Sequence, residues 1–91
     1  MHYVYLLRST AHPKQTYVGS TSDLRRRLAE HNAGKSIHTN KFKPWGLTAY
    51  IALPEIHLAE ELEKYLKSGS GRAFASRHLL AQIINNPEAT S

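Results

Sequence analysis

Ninety-one residues, 41% of them apolar and 21% charged, suit one domain with a single modest core and are too apolar for a disordered chain. No apolar run approaches the roughly 20 residues of a membrane span, and Arg8, His12 and Lys14 interrupt the opening run where a signal peptide needs apolar residues. The chain has no cysteine, which excludes disulfides, thiolate nucleophiles and cysteine-based zinc sites. A cytoplasmic location without membrane association is the expectation.

The charge is uneven. Twelve Lys and Arg oppose seven Asp and Glu, for a net +5. Residues 1–50 hold eight basic and two acidic side chains (+6), whereas residues 51–91 hold four and five (−1). A basic half beside a near-neutral half suits a polyanionic partner, of which nucleic acid is the commonest. The alternative is a charge that serves solubility alone.

In chain order, His2–Arg8 is rich in Tyr, Val and Leu, and Thr16–Gly19 is a second β-prone run. The polar stretch between them contains Pro13 and suits a hairpin loop. A helix is expected to start after Thr21 or Ser22, with Asp23 adding favourable charge to its first turn. Leu24, Leu28 and His31 follow at near-helical spacing, and Gly34 supplies a left-handed stop. Leu47–Leu53 reads as a third strand ending at Pro54. A second helix is expected over about Ile56–Lys67, with Leu58, Leu62, Tyr65 and Leu66 on one stripe, closed by Ser68-Gly69-Ser70-Gly71. A third is expected from about Ala73 to Asn85, with Leu79, Leu80, Ile83 and Ile84 as its apolar stripe. The domain then spans 1–85, with 86–91 frayed.

Lys35–Gly46 is the longest stretch without an assigned element. Its basic residues are interleaved with Trp45, which fits a loop lying against phosphates and bases. A solvated connection with Trp45 capping the core fits equally well.

Without cysteine, chemistry would have to use Tyr, Arg, His, Glu or Ser. Arg27 and His31 stand one above the other at i and i+4, while Arg25 and Arg26 are rotated away by about 200° and 100°. Tyr3, Tyr5 and Leu7 share one face of the first strand, and Tyr17 and Gly19 share one face of the second. Paired tyrosines on neighbouring strands are ordinarily packing partners. Gly19 at the strand end adds a second signal, because such a glycine marks close approach of backbone or ligand.

Taken in order, Tyr3-Val4-Tyr5, Tyr17-Val18-Gly19, Arg27, His31 and Glu63 resemble the GIY-YIG nuclease superfamily. The resemblance is greatest to its small stand-alone bacterial members, themselves similar to the amino-terminal nuclease domain of the excision-repair incision enzyme. It runs from about His2 to Leu80. Tyr17 and Arg27 are ten apart, and Arg27 and His31 four apart, as in the family pattern. The Thr39…Pro44-Trp45 loop and Ala59…Glu63…Lys67 resemble the small-member pattern as well. Two departures stand out: no glycine opens the first motif, and Gly69-Ser70-Gly71-Arg72 occupies the region of the late asparagine.

The resemblance implies an α+β (α/β) fold, with a three-stranded antiparallel sheet, about three flanking helices and an active site on the sheet face. It implies phosphodiester hydrolysis with one Mg²⁺ or Mn²⁺ ion. Carried over by position, Tyr5, Tyr17, Arg27, His31 and Glu63 are the catalytic candidates, and Glu63 is also the metal ligand. These residue types suit the chemistry. Mg²⁺ keeps several waters and needs few carboxylates, Arg27 can meet a phosphate bidentately, and a Tyr phenol or His31 can take a proton. Glu60 and Glu61 lie near Glu63, but helix geometry sets Glu63 at the edge of the apolar stripe and Glu60 farther toward solvent.

Arg25, Arg26, Lys35, His38, Thr39, Lys41, Lys43 and Arg72 are the candidate nucleic-acid contacts. The implied function is a metal-dependent endonuclease acting on DNA in repair, as a monomer or with a partner copy. With no appended recognition module expected in so short a chain, structure-selective or single-strand-directed cutting is favoured, on single-stranded or branched DNA. The alternative is a nucleic-acid-binding module of the same fold without cleavage activity.

Overall fold

The computed structural model of the chain describes residues 1–80. It comprises β1 (His2–Ser9), β2 (Thr16–Thr21), α1 (Leu24–Asn32), a 3₁₀ turn (Asn40–Phe42), β3 (Trp45–Leu53), α2 (Ile56–Leu66) and α3 (Gly69–His78). The strands form an antiparallel sheet in the order β2-β1-β3, so the first strand is central. Among the described residues, no helix is long and apolar enough to cross a membrane.

β1 carries an unbroken buried run, Val4-Tyr5-Leu6-Leu7, because both faces of the central strand are covered. Val4 and Leu6 face α2 and α3, packing with Ala59, Leu66 and Ala75. Tyr5 and Leu7 face the other way, packing with Trp45 and, at the margin, Tyr17, Leu24, Leu28 and Phe42. Each fully buried leucine or valine in these layers contributes on the order of 1.5–3 kcal/mol. A bulge in β3, where Leu6 pairs with Ala49 but Leu7 with Leu47, lets β3 reach back to Trp45.

The helix starts differ from the sequence expectation in instructive ways. Asp23 is itself the cap of α1: its carboxylate accepts from Arg26 N at 3.0 Å. Thr21 Oγ1 instead accepts from Asp23 N at 3.1 Å, which fixes the chain just before the cap. Gly34 does adopt the expected left-handed conformation, at φ 79°.

The larger correction is α3, which begins at Gly69 rather than Ala73. Ser68, expected within the stop of α2, caps α3 by accepting from Gly71 N at 3.2 Å. The Gly-Ser-Gly run is therefore a first helical turn. Gly71 is required there by contact rather than by its dihedrals, since a Cβ would stand 1.7 Å from the Tyr65 carbonyl oxygen and 2.7 Å from Leu66 Cα. The end of α2 and the start of α3 touch backbone to backbone. α3 itself ends at His78, short of the expected Asn85, with Leu79 as its C-cap. Ile83, Ile84, Asn85 and the boundary at residue 86 lie outside the described residues.

Two substitutions separate contact from helix propensity. Gly71→Ala should cost about 3 kcal/mol of stability, at the upper end for overpacking, because the obstructing atoms are backbone. Gly69→Ala, with nothing within 4 Å of its would-be Cβ, should stabilise by about 0.4–1 kcal/mol. Urea unfolding of both variants measures this, and matching effects would contradict the tight α2–α3 junction.

Candidate active site

The site is built around a missing side chain. Tyr5 on β1 lies directly opposite Gly19 on β2, and Leu7 opposite Tyr17. A Cβ on Gly19 would stand 2.4 Å from Tyr5 Oη, 2.6 Å from Tyr5 Cζ and 3.0 Å from Tyr17 Cε2. Glycine thus lets the Tyr5 ring lean across the strand toward Tyr17, whose ring centroid is 6.3 Å away.

His31, near the end of α1, completes the cluster. It is wholly buried, and its Nε2 lies 2.8 Å from Tyr5 Oη while its Nδ1 lies 2.7 Å from Thr39 Oγ1. Its ring stands edge-on to both tyrosines, 5.7 Å from Tyr5 and 5.1 Å from Tyr17. Burial lowers the His31 pKa and the nearby Arg27 charge lowers it further, with Glu30 opposing weakly. The imidazole is neutral at neutral pH, with both nitrogens committed.

Burial raises the Tyr5 pKa, against the pull of the nearby Arg27 guanidinium, while the charges of Tyr17 and Glu63 add to the rise. The Arg27 guanidinium is held near the phenol, and the Tyr5–His31 hydrogen bond of 2.8 Å is buried beside it. Arg27 is half-buried and donates to Glu30 Oε1 at 2.9 Å, which holds the Glu30 carboxyl below the usual carboxylate range.

Glu63 approaches from the other side of the sheet. Strand alternation turns Ser20 away from the Gly19 face, and its hydroxyl donates to Glu63 Oε1 on α2 at 2.8 Å. Lys67, one turn on, contacts Glu63 Oε2 at 2.9 Å, and its ammonium lies 5.5 Å over the Tyr17 ring centroid. The site therefore straddles β2 instead of lying on one sheet face as expected. β2 is an edge strand in the described sheet, so side chains from α2 can reach around it to Tyr17. Glu60 and Glu61 are exposed, so Glu63 is the carboxylate that faces the cluster.

The candidate nucleic-acid contacts divide. Arg25, Arg26, Lys35, His38, Lys41, Lys43 and Arg72 are exposed. Arg26 lies 4.0 Å from Asp23 and 3.9 Å from Glu30, so its charge is partly matched. Lys43 Nζ donates to Asn40 Oδ1 at 3.0 Å. Thr39 does not belong with them: it is fully buried, and its role is to hold His31.

Trp45 is likewise 5% exposed and donates from Nε1 to Thr39 O at 2.8 Å, which settles it as a core cap. Asn32, absent from the sequence candidates, clamps this region. It accepts from Trp45 N at 2.5 Å and donates to Trp45 O at 3.1 Å, tying the end of α1 to the start of β3. Nothing in residue spacing pairs Asn32 with Trp45 or His31 with Thr39. Ser20 was legible, since strand alternation alone puts it opposite the Gly19 face.

A family profile for the GIY-YIG catalytic domain matches residues 1–75. The chain belongs to the GIY-YIG family. Among its relatives, the structure-specific endonuclease subunit SLX1 of Debaryomyces hansenii is 33% identical over 87 residues, covering 88% of this chain and 24% of that protein. The Candida dubliniensis protein of the same name is 34% identical, covering 84% of this chain and 28% of the relative. This GIY-YIG chain thus spans about a quarter of the length of those relatives. A solution NMR structure of the UPF0213 protein BH0048 from Bacillus halodurans is 32% identical, with a TM-score of 0.48 and coverage of 80% of this chain and 79% of the other.

Because the folded pKa of His31 lies below its unfolded value of about 6.5, the unfolded chain takes up the proton first as pH falls. The stabilisation is complete above pH ~6.5 and is lost as pH drops toward the folded pKa, by up to about 1.4 kcal/mol per pH unit. Urea unfolding from pH 7.5 to 5 should show this slope, and His31→Gln, though less stable overall, should lose it. An unchanged slope in the variant would contradict a buried neutral His31.

Proposed function

We propose that this GIY-YIG domain is an endonuclease that hydrolyses phosphodiester bonds in DNA with one bound Mg²⁺ or Mn²⁺ and selects its substrates by structure rather than by sequence. The observation that carries the reading is the convergence around β2 of Tyr5, Tyr17, the His31 imidazole and the Glu63 carboxylate, drawn from four separate elements. The choice of DNA and of structural selectivity draws on the relatives, which are structure-specific endonuclease subunits by name.

The donor set suits a hard divalent cation. Glu63 is partly exposed, its Oε1 is oriented by Ser20, and its Oε2 already faces the Lys67 ammonium. Among the described residues no group of three or more His, Asp or Glu converges. Magnesium fits such a site, because it retains water and accepts one or two carboxylates with substrate oxygens. Glu63 would hold it, and when bound the ion supplies Lewis-acid withdrawal of the charge that builds on the phosphate.

The chain's own groups divide the remaining work. Arg27 donates to the non-bridging phosphate oxygens, with Glu30 holding its guanidinium in place until substrate arrives. Tyr5 and His31 are too buried to meet water. Their hydrogen bond fixes the Tyr5 ring beside the Arg27 charge. Tyr17 is the phenol that solvent can reach, so it is the group that orients the attacking water and, as the phenolate, takes its proton. In-line attack forms the new P–O bond as the bond to the leaving sugar oxygen breaks.

Cleavage of labelled single-stranded, duplex and branched DNA with Mg²⁺ or Mn²⁺, against an EDTA control, tests the proposal. Branched or single-stranded DNA should be cut and EDTA should stop it. Binding without cleavage under every metal condition would leave a nucleic-acid-binding module instead. Tyr17→Phe should reduce single-turnover cleavage by about 10²-fold or more with melting unchanged, and Glu63→Ala should abolish it. Tyr5→Phe should in addition lower stability by about 1–3 kcal/mol, since His31 Nε2 is left buried without its hydrogen-bond partner. Full activity in Tyr17→Phe would overturn its assignment as the base.

A further inference from the structure

A groove of about 440 Å³ runs away from Tyr17 along β2, between Lys14 of the β1–β2 loop, the end of α2 and Arg72, Ala75 and Ser76 of α3. Four of its walls are cationic (Arg8, Lys14, Lys67 and Arg72) and none of its lining residues is acidic. Most of these charges are uncompensated. Arg8 donates to the carbonyl oxygens of Pro13 and Leu80, and Arg72 Nε donates to Lys67 O at 3.2 Å. Neither they nor Lys14 form an ion pair among the described residues. Only Lys67 is matched, by Glu63.

The groove is continuous with the active site, because Tyr17 and Lys67 belong to both. It also lies apart from the cations expected to bind nucleic acid, with Arg72 the one residue in common. Arg25, Arg26, Lys35, Lys41 and Lys43 belong to α1 and the segment that follows it. We propose that this groove carries the phosphodiester backbone of the nucleic-acid strand on one side of the cleavage point, with Arg8, Lys14 and Arg72 as its phosphate contacts. The proposal takes its ligand from the function proposed above, and it adds the path of the strand through the site.

The geometry favours a backbone over a base as the occupant. The groove's lining sets guanidinium, ammonium and hydroxyl groups, including Thr16 and Ser76, beside the aliphatic Val18, Leu66, Ala75 and Leu80, with Tyr17 its one aromatic side chain. Arginine and lysine neutralise phosphates and release their counterions, which gives affinity without sequence preference. That agrees with a domain selecting shape rather than sequence.

The test is fluorescence anisotropy of a labelled single-stranded oligonucleotide in EDTA, where no cleavage is needed. The double variant Lys14→Ala/Arg72→Ala should weaken binding about tenfold at ~0.1 M salt and reduce the slope of log K against log salt by about 1.4, or 0.7 per lost contact. Lys64→Ala/Arg77→Ala, which removes the same charge from exposed positions of α2 and α3 outside the groove, should change both much less. Lys14→Glu alone, on an exposed loop residue, repeats the test should the Arg72 substitution disturb α3, and should weaken binding at least fivefold. Equal losses in the groove and control pairs would overturn the proposal in favour of a diffuse field. Wild-type binding by the groove variants would overturn it while leaving the nuclease reading standing. Failure of the wild-type protein to bind any oligonucleotide would overturn both.

Discussion

The hydrogen bond between Tyr5 and His31 joins residues 26 apart in the chain at complete burial, and most of the site depends on its being made. It requires that β1 be central, that Gly19 leave room for the phenol, and that the end of α1 be held against the start of β3. Asn32 and Thr39 satisfy the last condition, one by clamping the Trp45 backbone and the other by taking the far nitrogen of the imidazole. A buried polar chain of this kind is stable only when every member has a partner. Here it has, since no buried side-chain nitrogen or oxygen among the described residues lacks one.

That chain also explains the division of labour between two tyrosines of identical chemistry. Tyr5 is sealed in by Gly19 and His31, and its burial raises the pKa. Tyr17, two residues from Gly19 on the same face, remains partly exposed between His31 and Lys67. One phenol is a strut and the other faces water. The edge position of β2 allows Lys67, paired with Glu63 on α2, to meet Tyr17 from the opposite face of the sheet, where a central strand would have kept them apart.

Much of this was legible in residue order. The shared face of Tyr5 with Tyr17 and Gly19, the Arg27–His31 turn and the inward setting of Glu63 all follow from periods of 2 and 3.6 applied to short segments. The misreadings arose where tertiary contact overrode local habit. Gly69-Ser70-Gly71 has the composition of a stop, yet it opens a helix because Gly71 must pass against the Tyr65 carbonyl. Thr39 sits among lysines in sequence, yet it is drawn inward by a histidine eight residues earlier. Neither contact leaves a periodic trace. The straddled strand was hidden for the same reason, since the side of the sheet on which α2 packs is a matter of topology.

The central claim is that the Gly19 vacancy places Tyr5, and through it the groups proposed to react, rather than merely easing the packing of two strands. Gly19→Ala tests it most directly, through single-turnover cleavage of branched DNA at saturating, folded protein alongside the binding constant. A methyl group 2.4 Å from Tyr5 Oη must displace the phenol from His31, and a misplacement of about 1 Å is worth on the order of 10²-fold in rate. The account predicts a loss of that size with binding within twofold of wild type. Wild-type turnover in folded Gly19→Ala would contradict it.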